Sequence, residues 1–179
     1  MQAIANHPTL QSTKNLGFFY DANKGCLIYT CNGKPTPLPH PHFAWGNRGG
    51  SGRGRPHVFV PNPPARSPFA CGLDVGLGDH PNPLYDVETR VAVWVTYRFQ
   101  CPNAHFVNTY RTRELRQVHS TITHPNGQTD LDNLAKFTLD ALQHRVLHDD
   151  KQVVALYLVK IWCEDPTIDG ITTVAINPI

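Results

Sequence analysis

The stretch of sequence that decides the fold runs from residue 129 to residue 152 and reads TDLDNLAKFTLDALQHRVLHDDKQ. Its apolar residues recur with the 3.6-residue period of an amphipathic helix, which predicts a helix from Leu131 to about Val146. Asp130 stands where the N-cap of that helix belongs. The run from Gln152 to Trp162 is dense in apolar and β-branched residues and predicts a long, buried strand.

The aspartates that flank this helix are candidate metal ligands. Asp130 and Asp132 are two residues apart and would diverge on a continuous helix, so they converge only if Asp130 lies on an extended segment leading into it. Asp149 and Asp150 follow the helix C-terminus, where the helix dipole disfavours negative charge. If the next strand runs back beside the start of the helix, Asp150 joins Asp130 and Asp132, and three carboxylates suit a hard cation, Mg²⁺ by default.

The same residues also have an ordinary structural interpretation. Asp130 as a cap would contribute about 0.5–2 kcal/mol to helix stability, Asp132 would be a first-turn acid, and Asp149 with Asp150 would form a turn. Lys136 lies one turn beyond Asp132 on the same side of the helix, where it can meet a phosphate or simply pair with the acid. From the residues alone, both interpretations stay open.

The rest of the chain predicts strands separated by irregular segments. Glycine and proline are concentrated between residues 33 and 83, and we predict no helix within residues 69–86. Residues 1–15 are predicted to be a loose extension, and residues 16–179 one domain. The further predicted elements are a hairpin over 17–30, strands at 57–60, 91–99 and 171–176, and a short helix at about 113–119.

Charge is unevenly distributed along the chain although the net charge is only +2. The segment from Lys24 to Arg66 contains basic residues and no acid, whereas acids predominate from Asp130 onward. A basic first part beside a cluster of carboxylates suits a protein that binds a polyanion, and two solvated faces are the plain alternative. The candidate residues for binding this polyanion, which would be DNA if the chain acts on nucleic acid, are Lys34, Arg48, Arg53, Arg55 and Arg66.

Several classes of protein are disfavoured by composition. The longest apolar run, Val153 to Val159, is far shorter than the roughly 20 residues needed to cross a bilayer. No secretory signal pattern is visible at the N-terminus, and five cysteines without a CxxC pair predict neither a disulfide scaffold nor a four-cysteine zinc site. We therefore expect an intracellular protein in a reducing compartment, not bound to a membrane and not secreted.

The acidic helix closely resembles the hallmark of the RusA family of Holliday junction resolvases, an Asp-x-Asp-Asn-Leu helix with a lysine four residues after the second aspartate, then an Asp-Asp-x-Gln-Val turn into a strand. The segment Gly33 to Pro37 is a weaker echo of the family's Gly-Lys-Pro-x-Pro stretch, although His40 and His42 stand where a basic pair is expected and Arg53 with Arg55 comes later. The residues that carry the main match are Asp130, Asp132, Asn133, Leu134, Lys136, Asp140, Ala141, Leu142, Asp149, Asp150, Gln152 and Val153.

The resemblance implies an α/β (α+β) fold in which a small mixed sheet packs with one main helix. It implies an endodeoxyribonuclease that uses Mg²⁺, with Mn²⁺ as the alternative cation, and that dimerises to resolve four-way DNA junctions by paired nicks in recombination and repair. Carried over, Asp130, Asp132 and Asp150 are catalytic metal ligands, Lys136 is catalytic and Asp149 is a supporting acid. The alternatives are a junction-binding protein without cleavage and a Mg²⁺-dependent nuclease for flaps and other branched DNA.

Overall fold

A computed structural model describes residues 17–37, 42–45, 56–59, 67–106, 125, 129–163 and 167–179. Two short 3₁₀ turns, Asn103–His105 and Asp150–Gln152, accompany the regular elements. In chain order those elements are β1 (Gly17–Asp21), β2 (Cys26–Asn32), β3 (His42–Trp45), β4 (Pro56–Phe59), α1 (Pro68–Leu77), β5 (Val91–Phe99), α2 (Leu131–Leu142), β6 (Val153–Trp162) and β7 (Gly170–Pro178).

Five of the strands form one mixed sheet in the order β1-β2-β7-β5-β6. In the part of the chain that the structure describes, β5 and β6 run parallel and the other neighbouring strands are antiparallel. The parallel pair is joined by the crossover that contains α2, as parallel pairing requires. The sheet with two packed helices confirms the α+β fold, while β3 and β4 pair separately as a two-stranded sheet.

The core lies between this sheet and the two helices, which also contact each other. Leu73 of α1 and Leu134 and Leu142 of α2 are fully buried beside the valines of β5. The buried hydroxyl of Tyr97 in β5 lies 2.8 Å from Thr138 Oγ1 in α2, and Thr138 donates to the carbonyl of Leu134 at 3.0 Å. Because each buried hydroxyl has a partner, this helix is fixed against the sheet in one orientation.

The prediction that residues 69–86 contain no helix is wrong, because α1 occupies Pro68–Leu77. Ser67 caps this helix by accepting from the N–H of Ala70 at 3.1 Å, and Pro68 occupies the first turn, where its missing N–H is harmless. Its glycines permit close packing, since a Cβ at Gly72 would collide with the hydroxyl of Tyr29 and one at Gly76 with Phe18. Tertiary packing therefore outweighs the low helix propensity of glycine.

The helix α2 is four residues shorter at its C-terminus than the periodicity predicts. It ends at Leu142 because Gln143 is extended and His144 takes a left-handed backbone conformation with φ of 61°. The backbone N–H groups of Arg145 and Val146 both donate to the carbonyl of Leu142, which closes the helix end without a glycine. The apolar residues that follow are buried in this turn rather than on a further helical turn.

The strand β6 has the predicted position but not the predicted burial. Among the described strands it is the last one of the sheet and pairs only with β5. Val154, Leu156 and Tyr157 are exposed in the single chain, by 56%, 38% and 40%. A continuous apolar run is typical of a strand buried on both faces, and here the same run forms an edge.

The other predicted strands are confirmed with small changes of boundary. The hairpin is β1 and β2, the strand at 91–99 is β5, and the final strand extends over Gly170–Pro178. The strand expected at 57–60 is β4, and its partner β3 was not expected. The predicted extension at 1–15 and the helix at 113–119 lie outside the described residues. Neither described helix has the length and apolar character that a bilayer crossing needs.

Candidate active site

The carboxylate of Asp130 is not used to hold the helix that it precedes. Its backbone is extended, with φ of −69° and ψ of 137°, and its side chain makes no capping hydrogen bond. Only its carbonyl takes part, by accepting from the N–H of Leu134 at 3.2 Å. The extended segment that Asp130 needs in order to face the same way as Asp132 is therefore present.

Asp132 and Lys136 form an exposed ion pair one turn into α2. The Lys136 Nζ lies 3.6 Å from Asp132 Oδ2, and both side chains are more than half exposed. An i, i+4 pair of this kind contributes little to stability, about 0.3–0.5 kcal/mol. The predicted position of Lys136 on the same side as Asp132 is confirmed, and neither side chain is committed to the core.

Lys160 of β6 fixes the start of α2 against the sheet. Its Nζ donates to the carbonyl of Thr129, the residue before Asp130, at 2.9 Å. Lys160 lies seven residues after Val153 in β6, so at ~3.3 Å per residue it is roughly 23 Å from the start of that strand. β6 does lie beside the start of α2, but it is the C-terminal end of the strand that lies there and not its N-terminal end.

The second acidic pair lies at the opposite end of α2. Asp149 accepts from the N–H of Lys151 at 2.9 Å and, with Gln152, forms a capping box around the turn that leads into β6. That backbone hydrogen bond is the main reason why the pKa of the Asp149 carboxyl is lowered. Asp149 therefore has a structural task, whereas Asp150 beside it is exposed.

Asp140, in the last turn of α2, is a neighbour of Asp150 that sequence reasoning did not single out as a site residue. Partial burial and, second, the negative charge of Asp150 raise the pKa of the Asp140 carboxyl. Its position was readable from the sequence, since Asp132, Lys136 and Asp140 are spaced four apart and so share one helix face. Asp140 and Asp150 therefore concentrate negative charge at the C-terminal end of α2.

The three carboxylates predicted to share a cation are not gathered within one chain. Asp130 lies beside the end of β6 and Asp150 just before its start, so the length of the strand separates them. Across the part of the chain that the structure describes, no group of three or more His, Cys, Asp or Glu side chains is arranged to hold a metal. The expectation that the strand returns Asp150 to the start of α2 fails for the single chain.

The donor chemistry of the N-terminal end nevertheless fits a hard cation. Asp130 and Asp132 offer only carboxylate oxygens, and neither is hydrogen-bonded into the helix cap. Mg²⁺ is commonly held by one or two carboxylates, with water and substrate phosphate oxygens completing its shell. Asp130 and Asp132 could therefore hold the ion together with water and substrate phosphate oxygens.

A cavity of about 240 Å³ adjoins the start of α2. Its wall combines aromatic and charged side chains, and Thr129 places it directly next to Asp130. Lys160 was missed by the sequence reasoning, although a single charged residue inside the apolar run of β6 was a visible signal. The principal lining residues are Lys34, Phe99, Thr129, Lys160, Trp162 and Asp169.

Among the candidate DNA-binding residues, Lys34 is placed by the structure. It is exposed and follows Gly33, whose N–H donates to the carbonyl of Gly170 at 2.9 Å. This bond holds the Gly-Lys-Pro segment at the edge of the cavity. The other candidates, Arg48, Arg53, Arg55 and Arg66, lie outside the described residues.

Comparison with known proteins identifies the class to which this fold and acidic helix belong. A family model described as endodeoxyribonuclease RusA matches residues 78–171, which include β5, α2, β6 and both acidic pairs. The class is therefore that of the endodeoxyribonucleases. Within it, the chain belongs to the RusA family.

One relative extends the similarity over most of the chain. The uncharacterized protein YqaN of Bacillus subtilis (strain 168) is 25% identical over 144 residues. The aligned part covers 80% of this chain and 93% of that protein. The similarity therefore reaches beyond the segment that the family model matches.

Proposed function

We propose that this protein is a Mg²⁺-dependent endonuclease that resolves four-way DNA junctions by paired nicks, inside the cell, in DNA recombination and repair. The observation that carries the proposal is the acidic start of α2, where the carboxylates of Asp130 and Asp132 are free of helix capping. It lies within the residues that match the endodeoxyribonuclease family.

Each proposed site residue has a separate role. Asp130, Asp132 and Asp150 are the cation ligands, and bound Mg²⁺ would activate water and stabilise charge on the phosphodiester under attack. Mn²⁺, which accepts the same oxygen ligands, is the alternative cation. Lys136, one turn beyond Asp132, contacts the phosphate. Asp149 supports Asp150 by holding the turn in which it lies.

The separation of the acids makes a homodimer part of the proposal. Ligands of one Mg²⁺ lie about 2.0–2.1 Å from the ion, so carboxylates at the two ends of β6 cannot share it. A two-fold dimer would bring Asp150 of one copy to Asp130 and Asp132 of the other and would build two identical sites. Two sites also match the two equivalent strands of a four-way junction.

The exposed edge of the sheet supports a second copy. Val154, Leu156 and Tyr157 of β6 leave apolar surface uncovered in the single chain. An open edge strand with apolar side chains is a template for pairing with another chain. A second copy of this protein would cover this surface, and the two-fold symmetry of the dimer would match the two equivalent strands of the junction.

Cleavage of synthetic DNAs tests the reaction. The purified full chain is incubated with a four-way junction, a flap and a linear duplex, with Mg²⁺ and with EDTA. We expect symmetrical nicks in the four-way junction in the presence of Mg²⁺. Cleavage of flaps in preference to junctions would favour the relaxed nuclease, and tight junction binding without any cleavage would favour the binding protein.

Mixing two inactive variants tests the shared site. Asp132→Asn and Asp150→Asn each remove one ligand, so each homodimer should be inactive. If ligands come from both copies, a mixed dimer has one site with both substitutions and one site with none, and single nicks return on mixing. If each site lies within one chain, every site in the mixture carries a substitution and no activity returns.

A further inference from the structure

The cavity beside Thr129 has features that the cleavage site does not require. Its wall includes Phe99 and Trp162, which are partners in the register of β5 and β6 and therefore lie side by side at the ends of these strands. Phe99 is buried, and Trp162 is partly exposed. Aromatic side chains at the end of a strand pair, next to acids that would cut DNA, are suited to stacking.

The charged residues of the wall favour a neutral ring over a phosphate group as the ligand of the cavity. Lys34 and Lys160 would attract a phosphate, but Asp169 in the same wall would repel it. A neutral, planar group flanked by phosphates suits all three charged residues. Its ring would contact the aromatic side chains and avoid repulsion by Asp169, while the two lysines would face the phosphates on either side. A volume of about 240 Å³ is below the ~300–1,000 Å³ of pockets for larger ligands and suits a single ring system.

The indole of Trp162 provides a second observation. Its Nε1 is buried and has no hydrogen-bond partner among the described residues. His105 meets the same ring edge-on, with centroids 5.4 Å apart. A buried N–H without an acceptor is costly, and a base carbonyl that enters beside the ring is an acceptor.

We propose that this cavity, hereafter the Trp162 pocket, receives one unstacked nucleobase of the DNA strand held at Asp130. The inference rests on the proposed function, because it takes that strand to pass the start of α2. The hydrogen bond from Lys160 to the Thr129 carbonyl joins the pocket to the acidic segment, so a base held there fixes the register of the strand on the acids. The pocket thereby selects which phosphodiester near the branch point is cut.

Photocrosslinking tests the pocket without requiring cleavage. Four-way junctions carry 5-iodouracil at successive positions around the branch point and are bound to the full chain with Ca²⁺ in place of Mg²⁺. We expect crosslinks to be concentrated at one position and to map to Trp162 or Phe99 by mass spectrometry. Crosslinks that scatter along the strand, or map to other residues, would overturn the proposal.

Two comparisons make this result specific. Trp162→Leu should lose about 90% or more of the crosslink, whereas the matched control Trp94→Leu should keep it, since Trp94 stacks on Tyr157 away from the pocket. Replacing the crosslinking nucleotide by an abasic one needs no protein variant. It should weaken binding by the wild type by about 5- to 160-fold, the range for base–aromatic stacking.

The failures of the two proposals are distinguishable. A chain that crosslinks through Trp162 but never cuts a junction refutes the proposed function and keeps the pocket. A chain that cuts junctions while abasic and intact strands bind equally well keeps the function and refutes the pocket.

Discussion

The two ends of α2 carry similar acids and treat them differently. At the N-terminal end, the side chain of Asp130 makes no capping hydrogen bond and Asp132 pairs with the exposed Lys136. At the C-terminal end, Asp149 is bound into a capping box, and the side-chain amide of Gln152 ties the turn to the carbonyls of Asp86 and Thr89 at 2.7 and 2.9 Å. One end leaves its acids free, and the other uses an acid to build the turn.

This difference teaches that neighbouring acids in one motif can do separate work. Asp149 and Asp150 are adjacent in sequence, yet the first stabilises the backbone and the second stands exposed near Asp140. The structural interpretation of the motif is therefore confirmed for Asp149, and the chemical interpretation stays a prediction for Asp150. Substitutions at the two ends should separate them.

The largest expected effect is the loss of cleavage in Asp132→Asn. A metal contributes several kcal/mol of charge stabilisation, so at about 1.4 kcal/mol per factor of ten, removal of one ligand should slow junction cleavage about a thousandfold or more. Junction binding should remain, because the basic surface is unchanged. Rates from single-turnover cleavage and affinities from gel shifts provide the measurement.

Asp149→Asn is the matched control at the other end. It should lower the melting temperature slightly, because asparagine keeps the acceptor for the Lys151 N–H but not its negative charge, and it should slow cleavage much less than Asp132→Asn. Equal catalytic losses in the two variants, with equal losses of stability, would show that the acids of both ends are structural.

Most of the fold was readable from the sequence because its signals are local. The nine residues of β5 and the periodic stripe of α2 predicted elements that the structure confirms. The helix α1 was missed because glycines are typical of segments that interrupt a helix. Here the glycines instead allow the helix to pack closely against Tyr29 and Phe18 of the sheet. Contacts between distant segments leave no local pattern.

The acids of the candidate site could be selected from the sequence, but their arrangement could not. The motif selected Asp130, Asp132, Asp149 and Asp150, but the separation of the two pairs depends on where β6 meets α2. That contact is made by Lys160, a residue 28 positions beyond Asp132 that no spacing rule connects to it. Long-range register decides which acids meet, and it appears only in the folded chain.

The second expected effect is a moderate one at Lys160. In Lys160→Met, the carbonyl of Thr129 loses a charged donor at 2.9 Å, which should lower the free energy of unfolding by about 1.5–3 kcal/mol. At a temperature where the variant is still fully folded, cleavage should nevertheless fall by about tenfold, because the segment leading into α2 is no longer fixed. Thermal melts and cleavage at saturating Mg²⁺ provide the measurement.

Lys151→Met is the control at the opposite end, where the lysine is exposed and lies 3.6 Å from Asp149. It should change stability by about 0.5 kcal/mol or less. If both lysine variants behaved alike, the contact between β6 and α2 would not position the acids.

A smaller effect is expected for DNA binding through Lys34. Lys34→Ala should reduce the slope of log affinity against log salt concentration by about 0.7–0.9 if the lysine meets one phosphate. Lys34 lies at the N-terminal end of α2, next to the Trp162 pocket. Binding titrations of a four-way junction at several salt concentrations provide the measurement, and an unchanged slope would remove this lysine from the DNA surface.

The smallest expected effect concerns Asp140→Asn and sharpens the comparison through pH. Partial burial and the charge of Asp150 raise the pKa of Asp140 in the folded chain, so its ionised form is less favourable there than in the unfolded chain. Stability is therefore lost as pH rises from the usual pKa of an aspartate to the raised one, and the variant avoids this loss. At neutral pH the variant should melt about 1–2 °C higher, a gain within the usual range for surface substitutions.

The advantage of Asp140→Asn should shrink as pH falls through the raised pKa, because the wild-type carboxyl then becomes neutral as well. Millimolar Mg²⁺ gives the decisive comparison. If a single chain binds the cation at its C-terminal end, the ion neutralises Asp150, and the difference in melting temperature at neutral pH shrinks to the part that burial of Asp140 causes. If the cation needs the acids of both ends, the difference persists in Mg²⁺ at dilutions that keep the protein monomeric and falls only when the copies associate.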